Sequence, residues 1–139
     1  MTKVGFTCSA FDLLHAGHIL MLKECKGFCD QLHVGLQTDP ATDRADKRKP
    51  IQSILERHIQ LEAVSYVDFI HLYDTEEDLI RLLEIVGPDI RFVGEDWKNE
   101  NFTGWDLPIQ IHYNKRYGYS TTAMRKKIYT EEAKFHEKF

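Results

Sequence analysis

The chain has 139 residues and a mass of 16.3 kDa, with 42% hydrophobic and 29% charged residues. One domain of that length buries roughly two thirds of the surface its unfolded form exposes, which excludes a small scaffold held together by disulfides. A formal charge of −4 and a pI near 6.0 exclude a dedicated nucleic-acid binder, whose affinity rests on neutralising many phosphates.

Met1-Thr2-Lys3 shows no secretory pattern and leads into Val4 to Cys8, a short buried strand. A turn follows, then a helix with Ile19, Leu22, Cys25 and Cys29 on one face. Leu32 to Leu36 is a second strand, stopped by Thr38-Asp39-Pro40 because proline cannot continue a central ladder. Ala41 to Lys49 is a polar loop, and Ile54, Leu55, His58 and Leu61 form the apolar face of the next helix. Val67 to Tyr73 is the third strand. Thr75-x-x-Asp78 has the form of a capping box before Leu79, Leu82, Leu83 and Val86, and Gly87-Pro88 closes that helix. Ile90 to Val93 and Ile109 to Tyr113 are the fourth and fifth strands, and Ser120 caps a last helix carrying Met124 and Ile128.

This alternation predicts a single doubly wound α/β domain over residues 1–139, with a core over about 3–128 and a helical extension over 129–139. Its five-stranded, mostly parallel sheet carries helices on both faces. No stretch approaches the roughly 20 apolar residues of a membrane span. Three cysteines, an odd number, fit reduced thiols in a cytoplasmic protein, and the Cys25–Cys29 spacing does not match paired-cysteine zinc sites. Buried free thiols are expected.

Ligands of open α/β sheets bind beyond the carboxyl ends of the strands, which directs attention to four loops. After the first strand, His15 and His18 stand at the start of a helix, where unpaired N–H groups and the positive end of the dipole favour phosphate. Gly17 between them would let a phosphate approach the backbone. An imidazole donates a hydrogen bond in either protonation state, which suits an anion whose charge moves during reaction. After the second strand come Arg44, Lys47, Arg48 and Lys49, with Arg57 on the following helix. Phosphate contact is expected of Lys47 or Lys49 and of Arg57. Gly94-Glu95-Asp96-Trp97 follows the fourth strand, where Asp96 and Trp97 read either as a nucleotide-facing pair or as a loop acid and an apolar plug. Lys115 to Thr122 follows the fifth and brings a second helix start with three hydroxyls.

With these motifs in view, the chain resembles the cytidylyltransferase branch of the H-x-G-H nucleotidyltransferases, and within it the glycerol-3-phosphate enzymes. The resemblance runs from about Lys3 to Ile128. It rests on F-D-L-L-H-A-G-H-I at Phe11 to Ile19, Glu56-Arg57 after the lysine loop, Tyr66-Val67-Asp68, G-E-D-W at Gly94 to Trp97, and G-Y-S-T-T at Gly118 to Thr122. It implies a Rossmann-like fold and in-line attack by an acceptor phosphate on the α-phosphorus of CTP, with Mg²⁺ carried mainly by the nucleotide phosphates. The expected products are CDP-glycerol and pyrophosphate. The partners implied are CTP, a small phosphorylated acceptor and a second copy of the chain, with neither nucleic acid nor membrane.

Carried over residue by residue, the resemblance gives catalysis to His15, His18 and Lys47. Nucleotide binding falls to Ser9, Ala10, Phe11, Gly17, His18, Gly94, Asp96, Trp97, Lys115, Tyr119, Ser120 and Thr121, and acceptor binding to Asp12, Asp39, Lys47, Lys49 and Arg57. Two loops depart from the family pattern. Ser9-Ala10 stands where a glycine and a hydroxyl residue are usual, and Lys115-Arg116-Tyr117-Gly118-Tyr119 replaces the usual arginine-led run. Adenylyl transfer, another phosphate acceptor, or a nucleotide-binding sensor impaired in catalysis are the alternative readings.

Overall fold

The computed structural model describes residues 1–138; Phe139, the end of the expected extension, lies outside them. Five strands, β1 (Val4–Ser9), β2 (Gln31–Gln37), β3 (Phe69–Tyr73), β4 (Ile90–Gly94) and β5 (Gln110–Asn114), alternate with α1 (Ala16–Lys26), α2 (Ile54–Glu62), α3 (Glu76–Val86) and α4 (Thr121–Glu137). The sheet order is β3-β2-β1-β4-β5 and every pairing is parallel. Strand order therefore reverses between β1 and β4, and that is where such a fold opens a crevice.

Helices cover both faces. On one, Leu22 and Cys25 of α1 and Leu61 of α2 pack with Leu32, Val34, Leu36, Ile90 and Phe92. On the other, Leu79 and Leu83 of α3 pack with Phe6 and Tyr73. Helix ends follow local chemistry. Ser53 with Glu56 and Thr75 with Asp78 form reciprocal capping boxes, and Gly87 ends α3 in the left-handed conformation, φ 57°. Ser120 caps α4, its hydroxyl accepting from Ala123 N at 3.0 Å.

Several expectations need correction. On α2 the inward stripe is Ile54, Arg57 and Leu61, while Leu55 is 66% exposed and His58 only half-buried. Cys29 lies beyond the end of α1 at Gly27, and of the three thiols only Cys25 is fully buried. Val67 and Asp68 are not part of β3, because the Asp68 carboxylate accepts from Leu32 N at 2.8 Å and pairs with Lys26 at 2.5 Å. α4 runs from Thr121 to Glu137 without a break, so the helical extension expected from residue 129 continues it.

Arg57 is the largest departure. It is 2% exposed, and its guanidinium donates to the carbonyls of Gln52 (3.2 Å), Ala10 (3.0 Å), Gln37 (2.6 Å) and Thr38 (2.5 Å). Four backbone acceptors at the ends of β1 and β2 and before α2 share one cation, so this side chain clamps strand ends instead of reaching for an acceptor phosphate. Arg57→Met should lower the unfolding free energy by roughly 2–4 kcal/mol in urea titrations, since it leaves carbonyls without donors in a water-poor site. A loss below about 1 kcal/mol would show that these carbonyls find other donors.

Candidate active site

The β1–α1 turn is held in an uncommon backbone. Phe11 (φ 50°) and Leu13 (φ 52°) are both left-handed, a conformation that side-chain-bearing residues adopt at a cost of order 1 kcal/mol each. The surroundings enforce it. The Phe11 ring is buried in the core and meets the His18 ring at 5.4 Å, so Phe11 acts through packing, not as a nucleotide ligand by its side chain. Leu13 N donates to Gln52 Oε1 at 2.8 Å.

Between them Asp12 is only 6% exposed. Its carboxylate accepts from Ile51 N and Gln52 N, both at 2.9 Å, and from Arg125 Nη2 of α4 at 2.7 Å. Burial alone would raise its pKa, yet the bonds from Gln52, Ile51 and Arg125 hold it below the usual carboxylate value. With its carboxylate so engaged, Asp12 fixes the turn and is not free to bind an acceptor.

His15 is the N-cap of α1 rather than part of its first turn, and His18 is the third helical residue. The two cap each other: His15 Nδ1 accepts from Gly17 N at 3.0 Å, while His18 Nδ1 accepts from His15 N at 3.2 Å. Imidazoles thus occupy both places of a capping box, normally filled by a hydroxyl and a carboxylate. Because each Nδ1 accepts, each proton must sit on Nε2, and both rings are Nε2–H donors in the neutral form. The rings stack with centroids 3.9 Å apart. Burial lowers the pKa of His15, and burial together with the neighbouring His15 pushes His18 down to about 4. At neutral pH the start of α1 presents neutral donors.

α4 completes this corner. Thr121 Oγ1 lies 3.3 Å from His15 Nε2 and donates to the Asp12 carbonyl at 3.3 Å, so it accepts a hydrogen bond from His15 Nε2–H and holds that ring in place. A Cβ on Gly17 would come within 2.8 Å of the His15 ring and 2.9 Å of Tyr119 Cβ. Gly17 is therefore required by the packing of its own neighbours.

Beside this corner a cleft of about 700 Å³ opens over the carboxyl ends of β1 and β4. Of the residues singled out from sequence, Ser9, Ala10, Lys47, Gly94, Asp96, Trp97 and Lys115 line it. Lys49, Tyr119 and Ser120 stand outside it, and Asp39 is occupied capping a short 3₁₀ turn, accepting from Ala41 N at 2.9 Å. Arg116 reaches Asp96 at 3.3 Å across the cleft mouth.

Other site residues were not foreseen. Glu24 of α1 accepts from Tyr117 Oη (2.6 Å), His112 Nε2 (2.8 Å), Asn114 Nδ2 (2.9 Å) and Lys115 N (3.2 Å), and so sets the path of the β5–α4 loop. Burial would raise its pKa, but these bonds hold it below the usual value. The available signal was a lone carboxylate among the inward residues of α1. Arg125 and Arg91 were likewise missed, whereas Arg44, part of the basic loop picked out from sequence, lines the cleft. Among the described residues no group of three or more His, Cys, Asp or Glu could hold a metal ion, and no helix is long and apolar enough to cross a membrane.

The bifunctional protein HldE of Caulobacter sp. (strain K31) is 39% identical over 108 residues, covering 77% of this chain and 22% of that protein. The bifunctional protein HldE of Helicobacter pylori (strain ATCC 700392 / 26695) is 37% identical over 129 residues, 91% of this chain and 28% of that protein. The chain thus spans about a quarter of the length of these relatives. The lipopolysaccharide core biosynthesis protein from Thermoplasma volcanium GSS1 superposes with a TM-score of 0.70 at 26% identity, over 84% of this chain and 99% of that one. The pantoate-beta-alanine ligase of Francisella tularensis, at TM-score 0.60 and 20% identity over 89% and 65% of the two chains, shares the fold. The cytidylyltransferase-like family model matches residues 6–127, and the chain belongs to that family.

Proposed function

We propose that the chain transfers a nucleoside monophosphate from a nucleoside triphosphate to a small phosphorylated polyol or sugar, releasing pyrophosphate. The observation that carries this reading is the pair of neutral, mutually capping imidazoles at the start of α1, beside the cleft. An acceptor phosphate oxygen attacks the α-phosphorus and the bond to the β-phosphate breaks. No proton has to leave the acceptor, so the chain's task is to position the groups and stabilise charge. His18 Nε2, which has no hydrogen-bond partner among the described residues, donates to the developing charge on the α-phosphate. Lys47 supplies positive charge from the cleft wall. The free N–H groups at the start of α4, with the Ser120 hydroxyl, receive the leaving phosphates, while Thr121 holds His15 in place.

Mg²⁺ fits this scheme as the partner of the triphosphate. It dehydrates reluctantly and is commonly held through substrate phosphates, and the site offers no protein cage for it. It would shield phosphate charge.

The G-E-D-W and G-Y-S-T-T motifs support CTP as donor, with glycerol 3-phosphate as the minimal acceptor giving CDP-glycerol. The likeness to a lipopolysaccharide core biosynthesis protein supports a sugar phosphate instead. A homodimer is part of the proposal. It is supported by Ile51, Leu55 and Ile59, exposed at four-residue spacing, and by exposed Leu72 on the edge strand β3.

Pyrophosphate release from each nucleoside triphosphate with Mg²⁺ and a panel of polyol and sugar phosphates tests the reading. CTP is expected to exceed ATP by at least about tenfold, and His18→Ala to lower kcat by roughly 10²- to 10³-fold with little change in nucleotide affinity. Release with ATP alone reassigns the base, and no release with any acceptor overturns the proposal. In a ¹⁵N-resolved titration His18 should stay neutral, protonated on Nε2, from pH 7 down past 5 and take up its proton around 4. Its depressed pKa also means that unfolding takes up a proton between the unfolded value near 6.5 and about 4, so stability falls as pH drops through that window. Sedimentation equilibrium should give twice the chain mass for the wild type and a monomer for Leu55→Glu/Ile59→Glu.

A further inference from the structure

The cleft has an inner end on the opposite face of the sheet from the histidines. Arg91 pairs in register with Phe6 of β1, and Phe6 packs against α3, whereas α1 belongs to the core on the other face. Arg91 lines the cleft and is only 4% exposed. Its Nε is buried without a hydrogen-bond partner, and among the described residues no carboxylate pairs with it. What holds it is neutral: the Thr103 carbonyl accepts from Nη1, and the Phe102 ring lies 5.1 Å from the guanidinium carbon. The loop is shaped around it as well. Gly104, at φ 79°, would place a Cβ within 2.9 Å of Arg91 Nη1. Of the carboxylates that line the cleft, Glu76 is paired with Arg44 at 2.8 Å, Asp96 with Arg116 at 3.3 Å, and Glu95 accepts from Arg116 N at 3.2 Å.

A buried cation without a counter-charge is costly unless something supplies the charge. The nucleotide's phosphates and the reacting phosphate belong, on the reading above, at the starts of α1 and α4. We infer that Arg91 receives a second anionic group of the acceptor, a carboxylate or a further phosphate, set several bonds from the phosphate that reacts. The preferred acceptor class is then a doubly anionic phosphorylated polyol or sugar, and glycerol 3-phosphate is a truncated member of it. Arg91 is a specificity-determining residue here. The inference rests on the nucleotidyl-transfer reading for the identity of the ligand, and not for the existence of the anion subsite.

Isothermal titration of the full chain without nucleotide tests the subsite directly, using two matched pairs: 3-phosphoglycerate against glycerol 3-phosphate, and glucose 1,6-bisphosphate against glucose 1-phosphate. In at least one pair the doubly anionic member should bind about tenfold or more tightly, the scale of one added charge-assisted contact. Which pair shows the gap tells carboxylate from phosphate. Arg91→Met should erase the gap while leaving the singly anionic partner within about threefold, and Arg91→Lys should keep part of it. Equal binding within both pairs, or a gap that survives in Arg91→Met, overturns the inference. Should Arg91→Met fail to fold, Arg91→Lys carries the test, and a gap that it leaves undiminished overturns the inference. In turnover assays the preference should appear in KM and not in kcat. A gap in binding with no turnover of any acceptor would sink the nucleotidyl-transfer reading and leave the subsite standing.

Discussion

A carboxylate placed under a turn must find donors or be neutralised. Asp12 finds them in two segments that are far apart in sequence, the backbone leading into α2 and the guanidinium of Arg125 on α4, and its own carbonyl is tied to α4 again through Thr121. Those bonds hold two non-glycine residues in left-handed conformations on either side of Asp12. They also fix the point from which His15 and His18 project. Arg57 does the complementary task from below, gathering strand-end carbonyls onto one cation. The geometry of the imidazoles is therefore set by groups that need never touch a substrate.

Much of the architecture was legible because it is written locally. Apolar runs bounded by turn residues gave all five strands, and Thr75-x-x-Asp78, Ser120 and Gly87 marked helix ends that the structure keeps. The face of α2 was misjudged because two apolar stripes run along it, and the buried one has an arginine at its middle. Periodicity counts apolar residues and has no means of anticipating a guanidinium enclosed by carbonyls.

The loops that form the site were legible from the positions of their histidines, glycines and basic residues, but the division of labour within them was not. Asp12, Asp39 and Arg57 sit where a ligand-binding reading is natural, yet each is occupied by backbone groups that only the folded chain brings near. Gly17 is needed for the close approach of a ring and a tyrosine stem, which its place in the sequence does not show. Glu24 and Arg91 are single charges inside a helix and a strand; the inward position of Glu24 on α1 was its one signal, and Arg91 had none in its immediate sequence.

The position of β1 has a consequence for how the molecule is made. It is the central strand, and its two neighbours come from well-separated parts of the chain: β2 begins at Gln31, whereas β4 begins only at Ile90. During synthesis β1, β2 and β3 can pair while the second edge of β1, with its unsatisfied amides and carbonyls, waits for a loop of some eighty residues to close. The half-sheet is then a transient template for another nascent chain. Since the cleft straddles β1 and β4, it comes into existence only when that exposed edge is sealed, so competence to bind and protection from misassembly arrive in the same folding step.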